Sequence, residues 1–89
     1  MKPKEGYEII VVETVDGPAR GHHGNRRVQN VPDETFPEVM LVRFPKKLRD
    51  AHPVGTRFRV YARLVPNENG ETPFLHTNHA WKYEVIKKR

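Results

Sequence analysis

The chain has 89 residues, 36 % of them hydrophobic and 30 % charged, which is enough for one domain with a modest core, residues 1–89. It contains no cysteine, which excludes disulfide scaffolds and thiolate metal sites. The longest apolar run, Ile9 to Val12, is too short to span a bilayer. The charged first residues are not followed by an apolar stretch as long as that of a signal peptide. We therefore expect a soluble cytoplasmic protein with no membrane contact, and a homodimer is one expected form because so small a core gives little stability.

The positive charge is concentrated in one part of the chain. The net charge is +5, and residues 43–63 alone contribute +6, so the remainder sums to −1. A segregated basic segment is typical of a surface that binds a polyanion. The alternative is a solvated surface that keeps a small protein in solution. The segment contains one acid, Asp50, and seven basic residues, Arg43, Lys46, Lys47, Arg49, Arg57, Arg59 and Arg63.

Residues 7–15 are rich in β-branched side chains and predict a first strand. Residues 16–37 contain three prolines and three glycines and predict a long flexible loop. The first half of this loop includes Arg26 and Arg27 and is basic, so it is a candidate to close over a phosphate backbone; the alternative is a disordered insertion. The second half, residues 32–37, predicts a tight turn with Phe36 pointing inward.

Residues 38–44 predict a second strand, and residues 45–54 predict a short helical turn or an ordered loop. Pro45 suits the first helical position, and Leu48 and Ala51 are spaced to face the core. Pro53 must end any helix, because the residue before proline is pushed out of the α region.

Residues 56–65 give the clearest strand, because their side chains alternate in character with period two. One face is apolar and the other is basic, as in a half-buried antiparallel strand. The apolar face contains Phe58, Val60, Ala62 and Leu64, and the basic face contains Arg57, Arg59, Tyr61 and Arg63.

A turn at residues 66–71 precedes two further strands, at residues 72–77 and 80–87, and the tail 87–89 is expected to fray. Five short strands and one helical turn predict a mainly β fold. We expect a small five-stranded antiparallel barrel or a strongly curved sheet, since closure removes exposed strand edges.

The run Pro-Val-Gly-Thr-Arg-Phe-Arg-Val at positions 53–60 resembles the loop-into-strand entry that is common in oligonucleotide/oligosaccharide-binding (OB) folds and other small barrels. The resemblance covers residues 38–86 and implies an OB-like barrel. In that fold the helix follows the third strand, whereas the helical turn predicted here follows the second.

The arginine face of residues 56–65 is the leading functional candidate. Alternate residues on a strand are about 6.5–7 Å apart, close to the phosphate spacing of an extended single strand, and Tyr61 offers a surface on which a base can stack. The alternative is that the arginines pair across strands with Glu8, Glu13, Glu38 or Glu84. We predict binding of single-stranded DNA or RNA through Arg26, Arg27, Arg43, Lys46, Lys47, Arg57, Arg59, Tyr61, Arg63 and Trp81.

Other chemistry is poorly represented in this sequence. Trp81 is a stacking platform in this hypothesis and a core residue in the alternative one. The five histidines have no recognised ligand spacing, so no metal and no cofactor is expected. The chain has no serine and no nucleophile beside a base, so we do not expect an enzyme. The alternative function is a non-catalytic protein-interaction module or accessory subunit.

Overall fold

The computed structural model describes residues 1–17, 26–66, 72–78, 80 and 82–86. Predictions made for Trp81, the tail 87–89, the turn residues 67–71 and the loop residues 18–25 therefore lie outside the described residues. The described residues form six strands and one short helix: β1 Glu8–Asp16, β2 Arg26–Asn30, β3 Leu41–Arg43, α1 Lys46–Asp50, β4 Arg57–Val65, β5 Phe74–Thr77 and β6 Glu84–Ile86.

The strands are hydrogen-bonded in a ring. Their order is β1-β2-β3-β5-β4, and β4 pairs back onto β1. β3 and β5 run parallel, and the other neighbouring strands run antiparallel. β6 joins the edge of β4 beside Arg57 to Arg59. The predicted mainly β class is confirmed, but a purely antiparallel, five-stranded sheet was wrong for the described residues.

The core lies inside this ring and follows the alternation predicted for β4. Across the β1–β4 pair, Ile10 faces Val60 and Val12 faces Phe58. Burial of each such side chain contributes about 1.5–3 kcal/mol relative to leaving it in water. The partly buried side chains of Phe36, Met40 and Phe44 pack against the cluster. The buried cluster consists of Ile10, Val12, Val28, Val42, Phe58, Val60, Ala62 and Leu75.

β2 is the strand that was not predicted from the sequence, and it lies within residues 16–37, which were predicted as a loop. Its inward positions are Val28 and Asn30, and both are buried. The Asn30 amide donates to the carbonyl oxygens of Phe36 and Glu38, at 3.3 and 3.0 Å. Its Oδ1 accepts from the Met40 N–H at 2.7 Å. A buried amide is tolerated here because all these bonds are made.

The tight turn predicted after β2 is confirmed. The backbone N–H of Asp33 donates to the Phe36 carbonyl at 3.1 Å, and the Asp33 carboxylate accepts from the Phe36 N–H at 2.8 Å. Phe36 packs against the core as expected. Because Asn30 holds residues 36–40 as an ordered connection, β3 is shorter than the predicted strand 38–44.

The helix α1 is shorter than the predicted segment 45–54. Ala51, expected to face the core, is exposed, and Arg49 is buried instead. With β2 counted, α1 follows the third strand rather than the second. The part of the chain that the structure describes contains no helix with the length and apolar character needed to cross a membrane.

The end of β4 also departs from the predicted alternation. Leu64 was expected in the core but is 45 % exposed. The pairing between β1 and β4 ends at Glu8 and Ala62, so β1 no longer accompanies β4 at Leu64. Ala62 is the last fully buried residue of the strand.

Candidate nucleic-acid interface

Two arginines of the predicted basic row are held in ion pairs. β1 places Glu13 opposite Arg57, and the Arg57 Nε donates to the Glu13 carboxylate at 2.8 Å. β6 places Glu84 opposite Arg59, and the Arg59 guanidinium donates to the Glu84 carboxylate at 2.9 Å. These are cross-strand pairs of the kind weighed as the alternative to nucleic-acid binding.

The Arg59–Glu84 pair also changes the pKa of Glu84. The hydrogen bond from Arg59 lowers the pKa of Glu84, and the positive charges of Arg59 and Lys82 act in the same direction. Glu84 therefore stays ionised at neutral pH and keeps the Arg59 guanidinium engaged.

Tyr61, the predicted stacking residue, is covered by the N-terminal segment and is 2 % exposed. Its hydroxyl donates to the Lys2 carbonyl, and the Lys4 ammonium lies 5.9 Å from the ring centroid. A base cannot stack on a ring that is covered in this way. In this structure Tyr61 is therefore a packing residue on the outer side of β4.

Arg63 has different surroundings from Arg57 and Arg59. Strand register places Arg63 on β4 beside His76 on β5, and His76 beside Arg43 on β3. Arg63 and Arg43 are both exposed. Neither takes part in an ion pair among the described residues. Two arginines from strands far apart in the chain thus share one row.

A second row lies directly beside the first. Val65 pairs with Phe74, Phe74 with Leu41, and Leu41 with Gln29, and all four are half-buried. The Arg43 guanidinium carbon lies 4.3 Å from the centroid of the Phe74 ring, within the range of a cation–π contact. We call the two rows together the β3–β5 face: Arg63, His76, Arg43, Val65, Phe74, Leu41 and Gln29.

Phe74 was not singled out from the sequence. Its alternation with Leu75, His76 and Thr77 was the available signal, because Leu75 and Thr77 are buried. The sequence contains no local signal for the parallel pairing of β3 with β5, and that pairing brings Phe74 beside Arg43.

The other predicted binding residues lie outside this face. Arg26 donates to the His52 carbonyl at 2.8 Å, beyond the C-terminal end of α1. Arg27 is exposed opposite Val15 of β1. Lys46 and Lys47 are exposed on α1.

Arg49, a further cation of the basic segment, is buried on α1 and pairs with Asp50 at 3.1 Å. This hydrogen bond lowers the pKa of Asp50, with help from the charges of Arg49, Lys46 and Arg26. The hydrogen bond from Arg26 to the His52 carbonyl places Arg26 beside the C-terminal end of α1 rather than in the β3–β5 face.

No group of three or more histidine, aspartate or glutamate side chains is placed to hold a metal ion within residues 1–17, 26–66, 72–78, 80 and 82–86. His52 packs edge-on against Phe58, with ring centroids 5.2 Å apart. Comparison of the chain with protein-family models, with curated proteins and with solved structures finds no match.

Proposed function

We propose that the chain is an OB-like domain. The support is architectural: the described strands form a five-stranded ring with one added strand, β6, and α1 follows the third strand, where the helix of that fold lies. The helical turn was predicted after the second strand only because β2 was not recognised as a strand from the sequence. OB folds are small, partly open five-stranded barrels, and the ring of β1 to β5 fits that description.

We propose further that the domain binds single-stranded nucleic acid on the β3–β5 face. The observation that carries the proposal is the Arg43 guanidinium stacked over Phe74, with Arg63 in the same row as Arg43. Neighbouring strands are about 4.8 Å apart, so Arg63 and Arg43 are separated by roughly 10 Å. Phosphates bind the Arg43 and Arg63 guanidinium groups, and a base stacks on the surface that the Arg43 guanidinium and Phe74 form together.

The charge of this face supports the same ligand. Its two rows contain arginine, histidine, glutamine and apolar side chains but no carboxylate, whereas Glu13 and Glu84 lie beside Arg57 and Arg59. A ligand with a phosphate backbone therefore meets no opposing negative charge within the β3–β5 face.

The test is a fluorescence-anisotropy titration of labelled single-stranded and duplex oligonucleotides with Arg43→Gln/Arg63→Gln. We expect at least tenfold weaker single-strand binding, because each arginine contributes a charge-assisted contact. Lys46→Gln/Lys47→Gln is the matched control, since it removes the same charge from exposed positions on α1. Equal weakening by both double variants would contradict a site on the β3–β5 face.

A protein-interaction module is the second candidate, and β6 is the observation that favours it. Among the described residues β6 pairs only with β4, so no described strand covers its other edge, where a strand from a partner would pair. Val85 on β6 is 50 % exposed, and Tyr83 just before it is also exposed. Size-exclusion chromatography with and without nuclease distinguishes the two candidates: bound material absorbing at 260 nm favours nucleic acid, and a stoichiometric protein favours the module.

A further inference from the structure

A pocket of about 420 Å³ lies on the outer side of β4, beside the β3–β5 face, because Tyr61 and Arg63 are alternate residues on the same face of that strand. It is lined by Met1, Lys2, Lys4, Tyr61 and Lys82. Three of these five residues are lysines, and none is acidic. The volume is within the range of about 300–1,000 Å³ that is usual for small-ligand sites.

The walls of this pocket are held in place by contacts to Tyr61. The Tyr61 hydroxyl donates to the Lys2 carbonyl, and the Lys4 ammonium lies 5.9 Å from the ring centroid. The Tyr7 N–H donates to the Lys4 carbonyl at 3.1 Å, which closes a turn that contains Gly6. The N-terminal segment is thus fixed to β4 with its lysines at the pocket.

The electrostatics of the pocket select an anion. Each lysine ammonium has three donors and no acceptor, and lysine binds phosphate as a point charge. The carboxylate nearest to Lys82 in the sequence is that of Glu84, which accepts a hydrogen bond from Arg59. Glu84 does not line the pocket.

We propose that this pocket binds a dianionic phosphate group, as in a phosphomonoester or pyrophosphate. The positive charges of Lys2 and Lys82 match the charge of about −1.5 to −2 on such a group at neutral pH, while a phosphodiester carries only one negative charge. The group has two possible sources, a low-molecular-weight phosphate ester and the terminal phosphate of a nucleic-acid strand. The pocket and the β3–β5 face share no residue, so phosphate binding in the pocket can be tested independently of nucleic-acid binding on that face.

The test uses isothermal titration of the full chain with pyrophosphate at fixed ionic strength. We expect Lys2→Gln/Lys82→Gln to bind pyrophosphate about tenfold more weakly. Both lysines are exposed, and the variant keeps the Lys4 and Tyr61 contacts that hold the segment, so its thermal midpoint without ligand is expected to be unchanged. Lys46→Gln/Lys47→Gln is the control and is expected to bind pyrophosphate as the wild type does.

Equal pyrophosphate affinity in all three proteins, or no pyrophosphate binding by the wild type, overturns the proposal. A second arm compares an oligonucleotide that carries a 5′-phosphate with the same oligonucleotide ending in a hydroxyl. A preference for the phosphate that disappears in Lys2→Gln/Lys82→Gln supports the pocket with a strand end as its source. Pyrophosphate binding without that preference supports it with a small phosphate ester as its source.

Discussion

Arg57, Arg59 and Arg63 lie on one face of β4, but they differ in whether a glutamate on a neighbouring strand pairs with them. Arg57 and Arg59 each donate to a glutamate on a neighbouring strand. Arg63 takes part in no ion pair within the described residues. A phosphate that binds Arg57 or Arg59 meets the negative charge of the paired glutamate, so we expect these two arginines to stabilise the sheet rather than provide a ligand site. Arg63 carries no such cost.

The Arg59–Glu84 pair predicts a pH dependence of stability. The hydrogen bond from Arg59 lowers the pKa of Glu84 in the folded chain. A lowered folded pKa gives stability that is fully present above the ordinary glutamate pKa of about 4.3 and is lost as the pH falls through the lowered value. We expect Glu84→Gln to lower the thermal midpoint at pH 7 only slightly, because both side chains of the pair are exposed and such pairs contribute little, and we expect this difference to disappear once Glu84 is protonated.

The measurement is a calorimetric or circular-dichroism melt of both proteins across the acid range. Glu34→Gln is the control, because Glu34 is exposed and makes no ion pair among the described residues. A Glu84→Gln difference that persists unchanged at acid pH would mean that the charge of Glu84 is not what stabilises the pair.

At the level of elements, the strands with regular alternation were predictable. β1 was predicted at residues 7–15 and lies at Glu8–Asp16, and β4 was predicted at residues 56–65 and lies at Arg57–Val65. Their β-branched and apolar residues recur with period two, and burial against a core enforces that period. The local sequence therefore contained enough information for these two strands.

β2 shows why a strand without regular apolar alternation could not be predicted from the sequence. Its inward residues are Val28 and Asn30, so the apolar alternation that predicts a strand is absent. Asn30 lies inside only because its amide binds backbone groups of residues 36–40. Those bonds form between segments, and a single strand gives no indication of them.

The candidate site depends on register in the same way. Alternation predicted that Arg57, Arg59 and Arg63 share a face, but not which of them would meet a glutamate. The pairing of β4 with β1 and β6 decides that question. The cover over Tyr61 and the contact between Arg43 and Phe74 are likewise contacts between distant segments, and they were missed for the same reason.

The entry into β4 is anchored on β1 and predicts a sensitive glycine. Gly55 adopts φ +92, and its N–H donates to the Thr14 carbonyl at 2.9 Å. The Thr14 hydroxyl in turn donates to the Pro53 carbonyl at 3.1 Å. Because an L side chain in the left-handed region costs about 1–2 kcal/mol, we expect Gly55→Ala to lower the free energy of unfolding by that amount, measured by urea denaturation with an unchanged m-value.

Gly6→Ala is the matched control for this prediction. Gly6 also has a positive φ, +81, but it lies in an exposed turn, and no atom lies within 4 Å of a Cβ added there. An L side chain is strained there as well, but the turn is closed by a local hydrogen bond, from the Tyr7 N–H to the Lys4 carbonyl. Leaving the left-handed conformation therefore costs little more than that bond, and the expected change is smaller than at Gly55, about 0.5–1.5 kcal/mol. Equal effects of the two substitutions would show that the bonds between Thr14 and the entry into β4 do not hold Gly55 in its conformation.

For the whole molecule, the structure divides the basic segment of residues 43–63 into two groups. Three of its seven cations are paired with carboxylates, Arg49 with Asp50, Arg57 with Glu13 and Arg59 with Glu84. The other four, Arg43, Lys46, Lys47 and Arg63, make no ion pair within the described residues. The net charge therefore overstates the number of groups in this segment that can release counterions from a nucleic acid.

Salt dependence measures that number directly. On single strands the slope of log affinity against log salt concentration is about −0.7 for each phosphate neutralised. We expect Arg43→Gln/Arg63→Gln to make the slope shallower by about 1.4, because both contacts of the β3–β5 face are lost. Arg57→Gln/Arg59→Gln removes the same formal charge but only cations that are already paired, so the wild-type slope is expected to remain. If instead the second variant flattens the slope and the first does not, the ligand follows the β4 arginine row, and the β3–β5 face is not the binding surface.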